Sequence, residues 1–522
     1  FGSSHGTCSS LIYLGRRYCN SCDRRKRKTD TMGKLPWALL GACTCSVVAL
    51  RKLDKVRDRA WPQLDVDNTP FHYWPSVRGP SAHQFGSTDV VMPRDLSGAH
   101  RWSWHHPAGR YRATVAGGPV IDDNTCIYLS TSDGSVWKIS PEGKTLWHFK
   151  APGITNNAPC LMGDALYGNT QTGHAFALSL ATGRAFWVNK VAKDCGPDAG
   201  YPAASRGLFV MGADSGNDPR SPGGSERVVA LNSTTGKVVW EFRPDVPVWN
   251  FAPLFPDPNS VVFMDFVGGV YRLRLRDGSL VWHAVPKGSE ASFTDGGVTL
   301  GPNQVVYSCS NIGYGRGQEG SNGILRAFTV KDGKRLWEQW LPQPCNSYPA
   351  VGRVSGGNGF SVVVTPGSFM GQRLLHGSVM AFSAATGKPQ WWYQAPVYHA
   401  PPGIYNGMAR GDNEGVSERS KYNPAHSICL PAHWSAANVA GDGTVYAARC
   451  DGFLYAVRGT NSLGGSVWNA DNASSLSTNF ATSPGVLAEV YDAGSASLHG
   501  AFAFAPGTMV VSTCDTLHMF KT

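Results

Sequence analysis

The sequence predicts an all-β protein: an eight-bladed β-propeller with one blade closed by strands from both ends of the chain. Three observations carry that expectation. First, a glycine is followed four residues later by a tryptophan eight times, at Gly98/Trp102, Gly143/Trp147, Gly183/Trp187, Gly236/Trp240, Gly278/Trp282, Gly333/Trp337, Gly387/Trp391 and Gly464/Trp468. Second, the 522 residues include 61 Gly and 34 Pro, and only 16% are charged, a composition suited to short strands and tight turns. Third, the two ends of the chain hold complementary parts of one repeat unit.

Successive tryptophans lie 45, 40, 53, 42, 55, 54 and 77 residues apart. A period near 40 residues, built of short strands, signals a radial or stacked array of one supersecondary unit. Residues 158–187 show the unit: strands over 158–162, around 165–168, over His174–Ser179 and over 184–187, separated by Gly163-Asp164, Gln171-Thr172-Gly173 and Thr182-Gly183. Those separators are hairpin turn residues, and four antiparallel strands make one propeller blade. The outer-strand tryptophan is expected to pack over the next blade, and the glycine to permit the turn before it.

Residues 500–520 align without gaps onto 436–456, after which the chain stops three strands into a blade. The missing outer strand is at the other end, in "RDLSGAHRW" (94–102), which has no inner strands before it. Seven complete units and one shared unit give eight blades, and sharing a blade removes a free sheet edge. The propeller is therefore expected over 92–522, with a linker over 61–91 and a basic leader over 1–60.

The net charge of +10 does not belong to the propeller. Residues 1–60 carry 13 Lys/Arg against 4 Asp/Glu, and the remainder 34 against 33, so a nucleic-acid-binding body is not expected. Within 32–50, after the first methionine, residues 35–50 form a charge-free apolar stretch followed by basic residues. That pattern predicts a signal or anchor segment directing the chain to the secretory pathway, an organelle or a membrane. Cys19 and Cys22 have neither a following His nor a second cysteine pair, which argues against haem or zinc. Cys195, Cys345 and Cys429 each precede an expected inner strand, where a disulfide is conceivable in an oxidising compartment; connectivity is not readable.

Loop lengths point to one face. Surplus residues fall between second and third strands at 212–226, 308–323 and 365–377, and between blades at 392–427 and 469–497. Both kinds of connection emerge at the same mouth of the channel, where function is expected. Asn156, Asn157, Tyr201, Asn250, Asn346, Tyr348, His433 and Trp434, all just ahead of inner strands, suit a small polar ligand there.

The repeated frame A-x-x-x-x-T-G-x-x-x-W resembles the tryptophan-docking repeat of quinoprotein dehydrogenases, the pyrroloquinoline quinone (PQQ) repeat, over roughly 92–522. The resemblance implies Ca²⁺ and PQQ on the loop-rich face, with Asp214 and Asp265 as metal ligands and Asp295 as catalytic base. It further implies Trp249 as floor beneath the quinone, with Asn250 beside it and Arg316 on a quinone oxygen or carboxylate. Hard oxygen ligands suit Ca²⁺, and a carboxylate beside it stays basic. This chain has Asp at the family's Glu and Asn positions, and it lacks the adjacent cysteine pair found in many members. The same repeat also builds propellers without a cofactor. The first expectation is accordingly a monomeric propeller that binds a protein partner or small polar ligand without catalysis. The alternative is a Ca²⁺/PQQ-dependent alcohol or sugar dehydrogenase.

Overall fold

In the computed structural model the described residues are 72–522, apart from 81–83, 111, 116, 156, 196–199, 217–223, 288–293, 295, 313–321, 368–373, 376, 397, 400–433, 450–451, 460–481, 494–496 and 514. They form eight four-stranded antiparallel sheets, the blades of a β-propeller. Blade 1 spans 120–150, blade 2 160–190, blade 3 203–242, blade 4 254–284, blade 5 298–341, blade 6 350–394 and blade 7 438–492. Blade 8 joins Ser497–Ala505, Thr508–Thr513 and Thr516–Lys521 to an outer strand from the other end of the propeller, His100–His105. That is the expected closure. The segment before this strand is one helical turn, Leu96–Ala99, whose N-cap Asp95 accepts from Gly98 N.

Second and third strands are buried on both faces, as in Ile127–Thr131 and Ser260–Met264, because each blade is sandwiched between two others. Fourth strands instead alternate towards solvent, as in Thr145–Lys150. Their tryptophans hold the ring together. Each indole Nε1 donates to a carbonyl of the next blade: Trp102 to Pro141 (3.0 Å), Trp147 to Leu180 (3.1 Å), Trp187 to Ser233 (2.8 Å), Trp240 to Leu275 (2.6 Å), Trp282 to Val330 (2.9 Å) and Trp337 to Ala384 (3.2 Å). Each acceptor lies two or three residues before a glycine with φ between +66° and +83°, and the indole lies against that glycine. A Cβ on Gly278 would stand 2.6 Å from the Trp240 ring. The glycines thus do more than permit a turn, since they also leave room for the preceding blade's indole.

The alanine of the repeated frame has a role in the same contact. Ala177, Ala230, Ala327 and Ala381 sit directly across the third–fourth strand pair from Trp187, Trp240, Trp337 and Trp391, and a register shift follows each of them. The extra residue of such a bulge re-aims a side chain, and here it is the indole that projects towards the neighbouring blade.

Two expectations are corrected. Gly98 is helical and receives no indole, so the first Gly/Trp pair matches the repeat only in its tryptophan. The fourth strand of blade 7 is Val486–Asp492, paired along its length with Phe453–Gly459, and not the segment of Trp468, which lies outside the described residues. The long connection in blade 7 therefore falls between third and fourth strands, on the face opposite the other long loops. Within blade 6, Trp391 packs against Gly459 rather than a Thr-Gly turn.

Two predictions test this architecture. Trp240→Ala should lower stability by about 3–5 kcal/mol, as for other buried aromatic truncations, and Gly278→Ala should also destabilise. In a thermal-denaturation double-mutant cycle the two losses should be strongly non-additive, because one contact underlies both. The second concerns the blade 8 seam, where buried His518 faces Ser103 Oγ across the strand pair at 3.0 Å. Burial, reinforced by the charges of His100 and Arg110 and opposed by Asp515, pushes the imidazole down to about 4 from 6.5. Between those values the unfolded chain takes up a proton that the folded chain excludes. Stability is thus greatest above the ordinary histidine value and falls as pH drops through this window, by on the order of 3 kcal/mol. His518→Gln should flatten that part of a melting-temperature–pH profile.

Candidate functional site

A ring of blades leaves eight inner strands with unpaired edges around the axis, and buried backbone groups need partners. Residues 72–92 supply them. Their described parts run along the inner strands as the two arms of a hairpin. The chain passes the first–second strand turn of blade 2, where His72 Nε2 donates to Gly163 O (2.8 Å). Trp74 exchanges two backbone hydrogen bonds with Ile121 of blade 1, and Leu161 N of blade 2 donates to Pro75 O. A turn at Ser76–Gly79 reverses the direction. On the return, Gln84 bridges Pro253 O and Phe255 N of blade 4, and Val351 N of blade 6 donates to Phe85 O. Thr88 N then donates to Val439 O of blade 7. The hairpin leaves beside the first–second strand turn of blade 7, where Arg94 pairs with Asp442 (2.9 Å). It enters and leaves on the turn face. The sequence held a signal for this, aromatic residues (Tyr73, Trp74, Phe85) in a stretch read as linker, but no repeat frame to place them.

On the opposite, loop-rich face the segments leading into the inner strands converge over the hairpin. Val77 packs with Ala158, Tyr201, Ala252, Tyr348 and Ala436, which come from five such segments. The Tyr348 hydroxyl donates to Asn250 O, and Tyr201 N donates to Phe251 O (2.6 Å). Asn250 is buried in a left-handed conformation, φ +43°. Such strain in a non-glycine residue persists only where the surroundings impose it.

Several polar atoms here are buried without a hydrogen-bond partner among the described residues: Asn157 Oδ1, Trp249 Nε1, Asn250 Nδ2, Trp434 Nε1 and both polar atoms of Gln343. They sit in the segments leading into blades 2, 4, 6 and 7. Buried polar groups are nearly always paired, so a concentration of unpaired ones asks for an explanation. Asn157, Asn250, Tyr201, Tyr348 and Trp434 were expected at this mouth and lie there. Gln343 was not; nothing in its sequence context marks it.

The residues expected to hold Ca²⁺ and quinone are placed as follows. Asp265 caps a hairpin: its Oδ1 accepts from Val267 N (3.0 Å) and Gly269 N (2.7 Å), and its Oδ2 from the Tyr271 hydroxyl (3.2 Å). Tyr271 in turn stacks on His283, with centroids 3.7 Å apart, and burial beside Asp265 pushes its phenol well above the usual range. Asp214, at φ +56°, accepts from Lys193 N (2.8 Å) and from Arg227 Nε (2.8 Å). Asp214 lies near the end of the second strand of blade 3, Leu208–Ser215, whereas Asp265 occupies the second–third strand connection of blade 4. Asp133 of blade 1 and Asp515 of blade 8 stand at the equivalent place, and they too meet cations, Lys150 (3.0 Å) and Arg110 (3.1 Å). Burial opposes ionisation of Asp133, yet hydrogen bonds from His106, Thr131, Lys150 and Ser135 hold it well below the usual carboxylate range. An aspartate here is thus a recurrent turn cap. As placed, Asp214 and Asp265 aim their lone pairs at protein donors, which does not fit the open oxygen set that Ca²⁺ requires. Among the described residues no three His, Cys, Asp or Glu side chains converge on a metal position. Trp249 leans on Phe266, centroids 5.6 Å apart. Asp295 and Arg316 lie outside the described residues, as do Asn156 and His433.

A disulfide joins Cys309 of blade 5 to Cys345 in the segment leading into blade 6, with Cα atoms 5.7 Å apart. Asn311 accepts from Cys345 N (2.8 Å) and donates to Asn346 Oδ1 (2.7 Å), so the segment carrying Tyr348 is fixed at its start. Cys126, Cys160 and Cys195 are buried free thiols.

Eight blades, six of whose joints are made by indole-on-glycine docking, define the class: a PQQ-repeat β-propeller. The family described as outer membrane protein assembly factor BamB matches residues 58–189 and 190–357, more than half of the chain, and the chain belongs to that family. It is 22% identical over 341 residues to polyvinylalcohol dehydrogenase of Sphingopyxis sp. (strain 113P3), a match covering 61% of this chain and 43% of that protein, so the chain spans less than half of that relative's length. Among solved structures it resembles BamB from Moraxella catarrhalis (TM-score 0.53, 14% identity, covering 81% of this chain and 99% of that one). It equally resembles quinohemoprotein alcohol dehydrogenase from Comamonas testosteroni (TM-score 0.53, 13% identity, covering 90% and 82%). At these identities the structural likeness speaks for the fold.

Asp214→Asn should cost about 1–2 kcal/mol through the lost charge on Arg227. If Asp214 serves only as the partner of Arg227 and Lys193 N, denaturation will show the same loss in EDTA and in millimolar Ca²⁺. A loss that appears only with Ca²⁺ would make it a metal ligand.

Proposed function

We propose that this propeller binds a polar partner on its loop-rich face and carries out no chemistry of its own. The observation that carries the reading is the set of buried polar atoms of Asn157, Trp249, Asn250, Trp434 and Gln343, unpaired among the described residues, around one mouth of the channel. Such groups cost stability in the free protein, typically about 1–3 kcal/mol each, and a bound partner that pairs them recovers that loss. Membership of the family described as outer membrane protein assembly factor BamB supports a protein partner over a small molecule. The Cys309–Cys345 disulfide, with the apolar stretch at 35–50, supports an oxidising compartment reached through a targeting or anchor segment.

A second reading, a PQQ- and Ca²⁺-dependent dehydrogenase, rests on the likeness to polyvinylalcohol dehydrogenase. In its favour stands the fold; against it stand the two aspartates already paired within their blades.

Two measurements separate these readings. Reconstitution with PQQ and Ca²⁺ should leave no quinone absorbance on the protein after gel filtration and no dye-coupled oxidation of alcohols, poly(vinyl alcohol) or aldoses; turnover would establish the dehydrogenase. Gln343→Leu removes two unpaired atoms from the mouth, so it should leave the melting temperature unchanged or raise it. A marked fall would mean that Gln343 is paired within the free protein, and the mouth would lose its strongest argument.

A further inference from the structure

The turn of the channel hairpin carries a cation that nothing described balances. Arg78 is 2% exposed. Its Nη2 donates to Pro349 O, while Nε and Nη1 have no acceptor among the described residues. The guanidinium lies 5.6 Å from the centre of the Tyr348 ring, a weak substitute for a counter-charge. By contrast, Arg272 meets Asp257 at 2.7 Å, Arg326 meets Glu338 at 3.8 Å and Lys138 meets Asp122 at 3.9 Å. Burial lowers Arg78 to about 10, which leaves it protonated at neutral pH.

A buried charge requires an opposite charge as well as hydrogen bonds. Water supplies acceptors for Nε and Nη1, but it does not neutralise the guanidinium. The enclosure limits what does. Gly86 lies so close to Nη2 that a Cβ there would collide with it, Ala350 stands beside them, and the Tyr348 hydroxyl bonded to Asn250 O closes the side towards the mouth. Asn250 Nδ2, another donor without a partner among the described residues, sits at the hydroxyl end of the same ring.

We propose that the hairpin turn holds a small inorganic anion, of halide size, against Nε and Nη1 of Arg78, as a built-in counter-ion that locks the hairpin into the channel. The site differs from the partner-binding mouth: it lies beneath the Tyr348 ring, and it is filled as the hairpin packs.

The test uses the full chain, exchanged into sodium gluconate and titrated with sodium chloride or bromide at constant ionic strength. The melting temperature should rise by several degrees and saturate. Arg78→Met should be insensitive to halide and, in gluconate, at least as stable as the unaltered protein. Bromide-soaked crystals of the unaltered protein should show an anomalous peak beside Arg78, a readout that survives if the variant fails to fold. A melting temperature indifferent to halide, or an Arg78→Met variant with the same halide response, would overturn the proposal, as would bromide sites that avoid Arg78.

Discussion

The ring depends on one contact repeated at six of its joints: a fourth-strand indole seated on the glycine of the following blade's turn. It needs three coordinated features. The glycine must adopt positive φ and carry no Cβ, a small residue must stand opposite the tryptophan, and a bulge must turn the indole outward. Gly278, Ala230 and Trp240 show all three at one joint. Such a contact can be satisfied only by a neighbour, so the blades stabilise one another in sequence around the ring. That is why their second and third strands can be apolar on both faces.

Closing the ring creates a second demand. Eight inner edges face an axis too narrow to leave them simply bare, and the hairpin of residues 72–92 meets them by bonding to blades 1, 2, 4, 6 and 7. Its insertion decides which end of the channel is available. The described chain passes in and out at the turn face, and the unpaired polar groups collect at the loop-rich face. The aspartates of that face answer a local need. Asp133, Asp265 and Asp515 occupy the same strand connection and bind backbone donors, a hydroxyl or a cation there, and Asp214, in a second strand, pairs with Arg227. Their recurrence follows from hairpin geometry before any cofactor is considered.

Much of this was legible in the chain. The third strand of blade 2 falls on His174–Ser179 as expected, and the shared blade closes as expected, because turn residues and strand length are local properties. The candidate site was legible only as a neighbourhood. Asn250 and Tyr348 were marked by their place ahead of inner strands, yet the bond between them joins residues 98 apart in sequence. The fourth strand of blade 7 was misplaced because a chance Gly464/Trp468 spacing outweighed Val486–Asp492, whose pairing with Phe453–Gly459 leaves no local trace.

By itself, then, the sequence determined the blade count and the order of strands, since both repeat with a short period along the chain. Only the tertiary structure decided that residues 72–80 and 84–92 bond to the inner strands of blades 1, 2, 4, 6 and 7, that Cys309 pairs with Cys345, and that Arg78 lies buried with no carboxylate among the described residues. Those outcomes arise where distant segments meet at the centre of a ring, and no spacing within any one repeat encodes what stands across it.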